Sequence, residues 1–294
     1  MRVTFIYHSA FLVELDDMTL LFDYFRGALP PIRRDVPLVI FASHSHGDHF
    51  SPRIFSLAGD AERVSFVLSD DIPAGEVPAA LASRTVRIGP GRAVRGTAED
   101  DASGASFSPA AGSDGGTGSG ECAAPTQGSG DGPGQEERSG FGPDTAPENG
   151  AWSRLPDSPA LPPALSVRTL YSNDLGVAFL IQDGGASLYF AGDLNNWWWD
   201  GDAADRALET SYRHELKKIR GETFDAAFIP LDPRISGYWK GVEDFLQFAS
   251  ARYVFPMHFE DDPSIIRRME ARKEYGALPT KLVRIEKTGE EFTI

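Results

Sequence analysis

Residues 38–42 read Leu-Val-Ile-Phe-Ala and run directly into Ser43-His44-Ser45-His46-Gly47-Asp48-His49. A short apolar run bounded by polar residues fits a strand buried on both faces. Immediately behind it, three imidazoles and one carboxylate fall within six positions, and none enters a core without a polar partner. Both demands are met if the loop lies at the C-terminal edge of a buried strand, where the chain turns sharply and Gly47 permits the turn. His44 and His46 then point one way, and Asp48 and His49 the other. Nitrogen and oxygen donors grouped in this manner suit zinc, manganese or iron, and two groups imply two neighbouring ions. The bland alternative, a hydrated His-rich loop, does not account for donor-type residues behind so apolar a strand.

The rest of the chain is compatible with one domain interrupted by an insertion. From residue 98 to 163 the sequence is Gly, Ser, Ala, Pro, Asp and Glu, with eleven acidic and two basic residues. Such a stretch buries too little apolar area to offset its ordering entropy, so it is expected to be disordered. The Gly115–Gly120 run, GGTGSG, lacks the strand and helix that a phosphate loop requires. Cys122, the only Cys, lies in the same tract, which excludes a disulfide framework and a Cys-rich zinc module.

Outside the insertion, β-branched and aromatic runs predict strands over residues 3–7, 11–15, 19–22, 38–41, 64–68 and 85–88. After it they predict strands over 166–170, 177–182, 187–191, 226–229, 253–255 and 281–285. Helical spacing predicts helices over 203–219, 242–249 and 264–273, the last with Asp262 as N-cap. The class is therefore α/β, with packed sheets covered by helices. A net charge of −15 argues against a phosphate-tracking nucleic-acid binder. No apolar run reaches the roughly 18 residues of a membrane helix, and the opening residues lack a signal peptide's unbroken apolar stretch. A cytoplasmic protein without a nucleic-acid or membrane partner is the expectation; its oligomeric state is left open.

His44-x-His46-x-Asp48-His49 resembles the signature of the metallo-β-lactamase superfamily of metal-dependent hydrolases. Leu21-Phe22-Asp23 is similar to the strand that carries the family's first, structural Asp. Tyr189-Phe-Ala-Gly-Asp193 is similar to the strand whose terminal Asp bridges two metals. Tyr253-Val-Phe-Pro-Met-His258 is similar to the last strand, whose terminal His completes the second site. The resemblance spans the chain apart from the insertion. It implies an αββα sandwich of two mixed β-sheets flanked by helices, with one or two divalent ions at one edge: zinc first, manganese or iron as alternatives. Tyr7-His8-Ser-Ala-Phe-Leu-Val and Pro-Met-His are most similar to the branch that includes ascorbate-phosphate lactonase.

In one place the chain departs from that pattern. The family carries a further His on the strand before the Gly-Asp motif, where this chain reads Tyr171-Ser172-Asn173-Asp174. The resemblance therefore implies a first metal on His44, His46 and Asp193, with Asp174 or Ser172 as substitute. It implies a second on Asp48, His49, Asp193 and His258. His8 is expected behind the ligands as an orienting partner, and Asp23 is expected to fix the His loop by hydrogen bonds. His214, on a polar helix face, reads as a surface residue.

Three adjacent Trp residues, Trp197, Trp198 and Trp199, cannot share one strand face, so some are expected to line a substrate cleft. Asn196 is a candidate donor to a substrate oxygen. Arg234 is a candidate clamp for an anionic group, against a plain ion pair with Asp232. The implied chemistry is hydrolysis of a small-molecule lactone, ester or phosphodiester by a metal-bound hydroxide, with Asp48 as the proton-handling catalytic residue. Two other readings are a degenerate metal-binding scaffold without turnover, and a nucleic-acid-processing metallohydrolase.

Overall fold

The computed structural model describes residues 1–60, 63–97, 155–274 and 280–294. Before the insertion the strands are β1 (Arg2–Tyr7), β2 (Ala10–Glu14), β3 (Thr19–Phe22), β4 (Leu38–Ala42), β5 (Val64–Ser69), β6 (Thr85–Ile88) and β7 (Ala93–Gly96). After it come β8 (Asp157–Ser158), β9 (Leu165–Tyr171), β10 (Val177–Asp183), β11 (Ala186–Phe190), α1 (Ala203–Lys217) and β12 (Thr223–Pro230). The chain closes with α2 (Lys240–Phe248), β13 (Ser250–Met257), α3 (Ser264–Glu270), β14 (Lys281–Leu282) and β15 (Glu291–Thr293). The strands form two mixed sheets, β15-β1-β2-β3-β4-β5-β6 and β14-β13-β12-β11-β10-β9-β7-β8.

The apolar runs explain the layering. In β3 and β4, Phe22, Val39 and Phe41 face the second sheet, while Leu21 and Ile40 join a separate cluster with Ile54, Phe55 and Phe66 on the outer face. Both faces are covered, so both strands are apolar throughout rather than alternating. Aromatic contacts join the sheets: the Phe22 ring stacks on Phe190 at 4.6 Å, and Phe11 meets Phe228 edge-to-face at 4.9 Å. On the outer face of the second sheet Tyr189 stacks on Phe245 of α2 at 4.8 Å. Tyr212 and Leu216 of α1 are wholly buried.

Strand directions decide where chemistry can occur. β3, β4 and β5 run parallel, as do β11, β12 and β13, so each set ends on one edge of its sheet. Loops at that edge are the places where polar side chains from many strands can converge.

Two features depart from the sequence expectation. β7 and β15 carry too few apolar residues to announce themselves and are specified by the strands beside them, β9 and β1. Residues 155–163, compositionally part of the insertion, pack into the domain. Leu155 and Leu161 are buried there, β8 pairs with β7, and a Cβ at Gly96 would fall 1.8 Å from the Pro162 carbonyl oxygen. The remainder of the insertion, with Cys122 and the Gly115–Gly120 run, lies outside the described residues. The flanking parts of the chain belong to one compact unit. Among the described residues no helix is long and apolar enough to cross a membrane.

Candidate metal centre

Polar side chains project from seven loops at this edge. His8 follows β1, Asp23 follows β3, and the His44–His49 loop follows β4; Asp174 follows β9, Asp193 β11, Asp232 β12 and His258 β13. His8, Asp23 and His258 have positive φ of 54°, 43° and 61°. Non-glycine residues rarely adopt that backbone, and such strain is a usual mark of functional sites.

The donors fall into two groups. His44, His46, Asp174 and Asp193 offer ligand atoms all within 4.8 Å of one another, and so do His8, Asp48, His49 and His258. Asp193 stands between them. Its Oδ2 lies 3.5 Å from His44 Nε2, while its Oδ1 lies 3.2 Å from His49 Nε2 and 3.5 Å from His258 Nε2. Asp174 Oδ2 is 3.7 Å from His46 Nδ1. His8 Nε2 is 3.6 Å from Asp48 Oδ2. Thus His8 faces the same space as the donors instead of standing behind them, a correction to its expected orienting role.

Residues behind the donors fix their orientation. Asp23 accepts from Ser43 N at 2.8 Å and Ser43 Oγ at 2.6 Å, and its Oδ2 lies 2.7 Å from His49 Nδ1. Asp232 does the same for His258, with Oδ2 3.0 Å from Nδ1. Asp71 accepts from Ser45 N at 2.8 Å and holds the middle of the loop. Gly47 is not what permits the turn: its φ is not positive and a Cβ there would meet nothing within 4 Å. Hydrogen bonds from His49 N and Phe50 N to the His46 carbonyl close it instead. The close approaches are at Gly176 and Gly192, with φ of +70° and +53°. A Cβ at Gly176 would sit 2.1 Å from Ser43 O, and one at Gly192 2.7 Å from Ser43 Cβ.

The electrostatics suit a cation. Burial, reinforced by the neighbouring imidazoles His258 and His49, pushes His8 down to about 3, and burial likewise pushes His44 far down. Neutral imidazoles keep the lone pair a metal needs. Burial opposes charge on His49 as well, but the Asp193, Asp23 and Asp48 carboxylates outweigh it and lift that ring to about 9. A cation in the site would displace that proton by taking the ring's lone pair. Burial raises the Asp193 carboxyl, opposed by His49 and His258. Burial would raise Asp232 too, yet hydrogen bonds with His258 and Arg234 hold it well below the usual carboxylate range.

The donor set fits divalent ions. His8 Nε2, His49 Nε2 and Asp193 Oδ1 are buried polar atoms without a hydrogen-bond partner among the described residues; His49 Nε2 and Asp193 Oδ1 face each other at 3.2 Å, and His8 Nε2 lies 3.6 Å from Asp48 Oδ2. Buried polar atoms are almost always satisfied. Imidazole and carboxylate donors, with no thiolate among the described residues, suit divalent metal ions.

The remaining sequence candidates divide. Trp197 lies by the centre, with its ring 5.4 Å from His258 and its Nε1 donating to the Asp193 carbonyl at 2.9 Å. Trp198 stacks under Lys240, whose Nζ is 3.8 Å from the ring centroid, and Trp199 is exposed. Asn196 is not a substrate donor: it is wholly buried and its Nδ2 donates to Asp244 at 2.7 Å. Arg234 is not a free clamp either. Its guanidinium forks onto Asp232 and lies 3.5 Å from Glu260, the ion-pair alternative. His214 is exposed on α1. Sequence reading assigned Asp232 only as Arg234's partner and did not anticipate Asp71; both carboxylates act through hydrogen bonds that span distant loops.

Part of the chain matches a known family model, and its fold is similar to a solved structure. Residues 2–94 match the family model described as beta-lactamase superfamily domain. A segment of 57 residues, 18% of the chain, is 40% identical to a UPF0173 metal-dependent hydrolase of Desulforamulus reducens, and it spans only 25% of that relative's length. The structure of Igni18, a metallo hydrolase from Ignicoccus hospitalis, matches 100% of this chain and 98% of its own at 14% identity and a TM-score of 0.51. The metallo-beta-lactamase fold protein YhfI of Bacillus subtilis matches with 99% of each chain covered, at 12% identity and a TM-score of 0.49. Residues 2–94 thus resemble a beta-lactamase superfamily domain, and the two-sheet sandwich around them is similar in fold to the metallo hydrolase Igni18.

Proposed function

We propose that this chain is a metal-dependent hydrolase of small-molecule lactones, esters or phosphodiesters. The reading rests on Asp193, one buried carboxylate with an oxygen toward each of two complete donor groups. His44, His46, Asp174 and Asp193 would hold one ion, and His8, Asp48, His49 and His258 the other. Ions held there supply a nucleophilic water at neutral pH and Lewis-acid polarisation of a carbonyl or phosphoryl oxygen.

The protein's own part is proton handling and positioning. Asp48 is about half exposed, with its side chain 49% accessible, whereas the Asp193 side chain is only 8% accessible. Asp48 therefore reaches the solvent side, where it can accept the proton of the attacking water and return it to the leaving group. Trp197 supplies an apolar wall beside His258 for the substrate's non-reacting part. A net charge of −15 disfavours polyanionic nucleic acid and favours a small substrate.

The test is a panel of chromogenic lactones, esters and phosphodiesters offered to chelator-stripped protein reloaded with zinc or manganese. Turnover that needs metal and falls at least about 100-fold in Asp48→Ala is expected. Stoichiometric metal without turnover on any of the three bond types would replace this reading with a metal-binding scaffold.

A further inference from the structure

Asp174 projects from a short loop, residues 172–176, joining β9 to β10, and its side chain is 44% accessible. A carboxylate on an exposed loop is a poor ligand unless the loop itself is held, because ordering the loop on binding costs conformational entropy. This loop is held on every side. Ser172 N donates to the Gly176 carbonyl at 3.2 Å, and Val177 N donates to the Ser43 carbonyl at 3.0 Å. Gly176 packs so tightly on Ser43 and His44 that no Cβ fits.

The third side is the amide of Asn173. Its Nδ2 donates to the Asn195 carbonyl at 2.8 Å, and its Oδ1 accepts from Asn195 N at 3.2 Å. One side chain thus pairs with both backbone groups of a single residue, as a neighbouring strand would. The same Nδ2 also reaches the Leu208 carbonyl of α1 at 3.2 Å. The partner loop is rigid without this help. Leu194 N donates to the Ala191 carbonyl, Ala191 N to the Phe228 carbonyl, and Trp197 Nε1 to the Asp193 carbonyl. Asn173 therefore ties the loop of Asp174 to a part of the chain that is already fixed.

We infer that Asn173 is a positioning residue that makes Asp174 a usable ligand of the His44/His46/Asp193 group. The inference rests on the metal reading given above. It concerns the choice of ligand in this chain, where a carboxylate one residue beyond the Asn173 clamp offers the fourth donor of that group.

The experiment is a zinc titration of the chelator-stripped full chain, followed by calorimetry, with melting of the metal-free protein measured alongside. The parent is expected to take up two equivalents. Asn173→Ala should weaken one equivalent about 10–100-fold, the range for partners that orient ligands, and leave the other unchanged. Asp174→Ala should weaken the same equivalent, and adding Asn173→Ala to it should cost nothing more, since the two act through one contact. Asn173→Asp keeps the acceptor for Asn195 N but sets an oxygen against the Asn195 and Leu208 carbonyls, so it should weaken the same equivalent at least as much as Asn173→Ala; it also serves if the Ala variant does not fold.

Equal weakening of both equivalents, additive losses in the double variant, or unchanged zinc affinity in Asn173→Ala with a lower melting temperature would each overturn the positioning role. A parent that binds fewer than two equivalents would instead overturn the two-metal reading, and the inference with it.

Discussion

Asp23 Oδ2 lies 2.7 Å from His49 Nδ1, and both side chains are wholly buried. The carboxylate accepts a hydrogen bond from Nδ1–H and leaves Nε2 to face Asp193, so the tautomer suited to metal binding is set from behind. The same carboxylate receives Ser43 N and Ser43 Oγ, which anchors the start of the His loop. Asp23→Ala is therefore expected to lower zinc affinity of the His8/Asp48/His49/His258 group about 10–100-fold. It should also destabilise the fold by about 1–3 kcal/mol for each buried donor left unpaired. Zinc titration and denaturant unfolding measure the two effects, and unchanged zinc affinity would mean that His49 is oriented by something else.

Two glycines at the site should differ sharply in their tolerance of the same substitution. At Gly176 the backbone is left-handed and a Cβ would lie 2.1 Å from Ser43 O, so the chain on one side must move. Gly176→Ala is expected to cost at least about 2 kcal/mol, the left-handed backbone alone contributing about 1–2. Gly47 sits inside the His motif, yet it has ordinary φ and open space around it. Gly47→Ala should change stability by no more than about 0.5 kcal/mol. Urea melts of both variants check this, and a larger loss at Gly47 than at Gly176 would contradict the described loop.

The contrast between those glycines shows how much of the site was legible in the sequence. The His loop announces itself because apolar strand residues and donor residues are adjacent in the chain. Asp193 and His258 are legible for the same reason, each standing at the end of a buried strand. What the sequence does not display is cross-loop pairing. Asp71 to Ser45, Asn173 to Asn195 and Asp232 to His258 join residues 22 to 26 positions apart, and nothing in local pattern marks them. The placement of Asn196 failed likewise: a polar residue beside three Trp looks available, but its partners Asp244 and Glu209 come from α2 and α1. In the fold, apolar β3 and β4 were readable, whereas β7 and β15 exist because a neighbour's backbone pairs with them.

At the opposite edge from the metal donors, Asp183 at the end of β10 is buried beside the Asp16–Asp17 turn, lining a cavity of about 500 Å³. Burial, then a hydrogen bond with Asp17 and the charges of Asp17 and Asp16, raises Asp183 to about 6. Between its unfolded value near 3.8 and that folded value, the native state binds more protons than the unfolded one. Stability should therefore fall as pH rises from about 4 through 6 on account of this group, and stay lower above it. Asp183→Asn should flatten that part of the profile and raise the melting temperature at pH 7. Urea midpoints at pH 4.5, 6 and 7.5 read the slope, and a variant with the parent's slope would assign the titration to other carboxylates.

The two donor groups differ in character, which should decide how ions distribute. The His8/Asp48/His49/His258 group offers three imidazoles and one carboxylate, the other two imidazoles and two carboxylates. In the second, Asp193 is shared across the centre, and both Asp174 and His46 are exposed. Imidazole-rich sets suit zinc, while added carboxylate shifts preference towards harder ions such as manganese. Zinc added to stripped protein is therefore expected to fill the imidazole-rich group first, and manganese to compete best at the other. Asp174→His would supply a third imidazole, so it should raise zinc affinity at the weaker group and reduce manganese competition there. Asp174→Ala should lower total metal below the parent. The reading is checked by zinc titrations with and without excess manganese across parent and variants. Two equal, tight zinc equivalents that survive Asp174→Ala would remove Asp174 from the ligand set and the asymmetry with it.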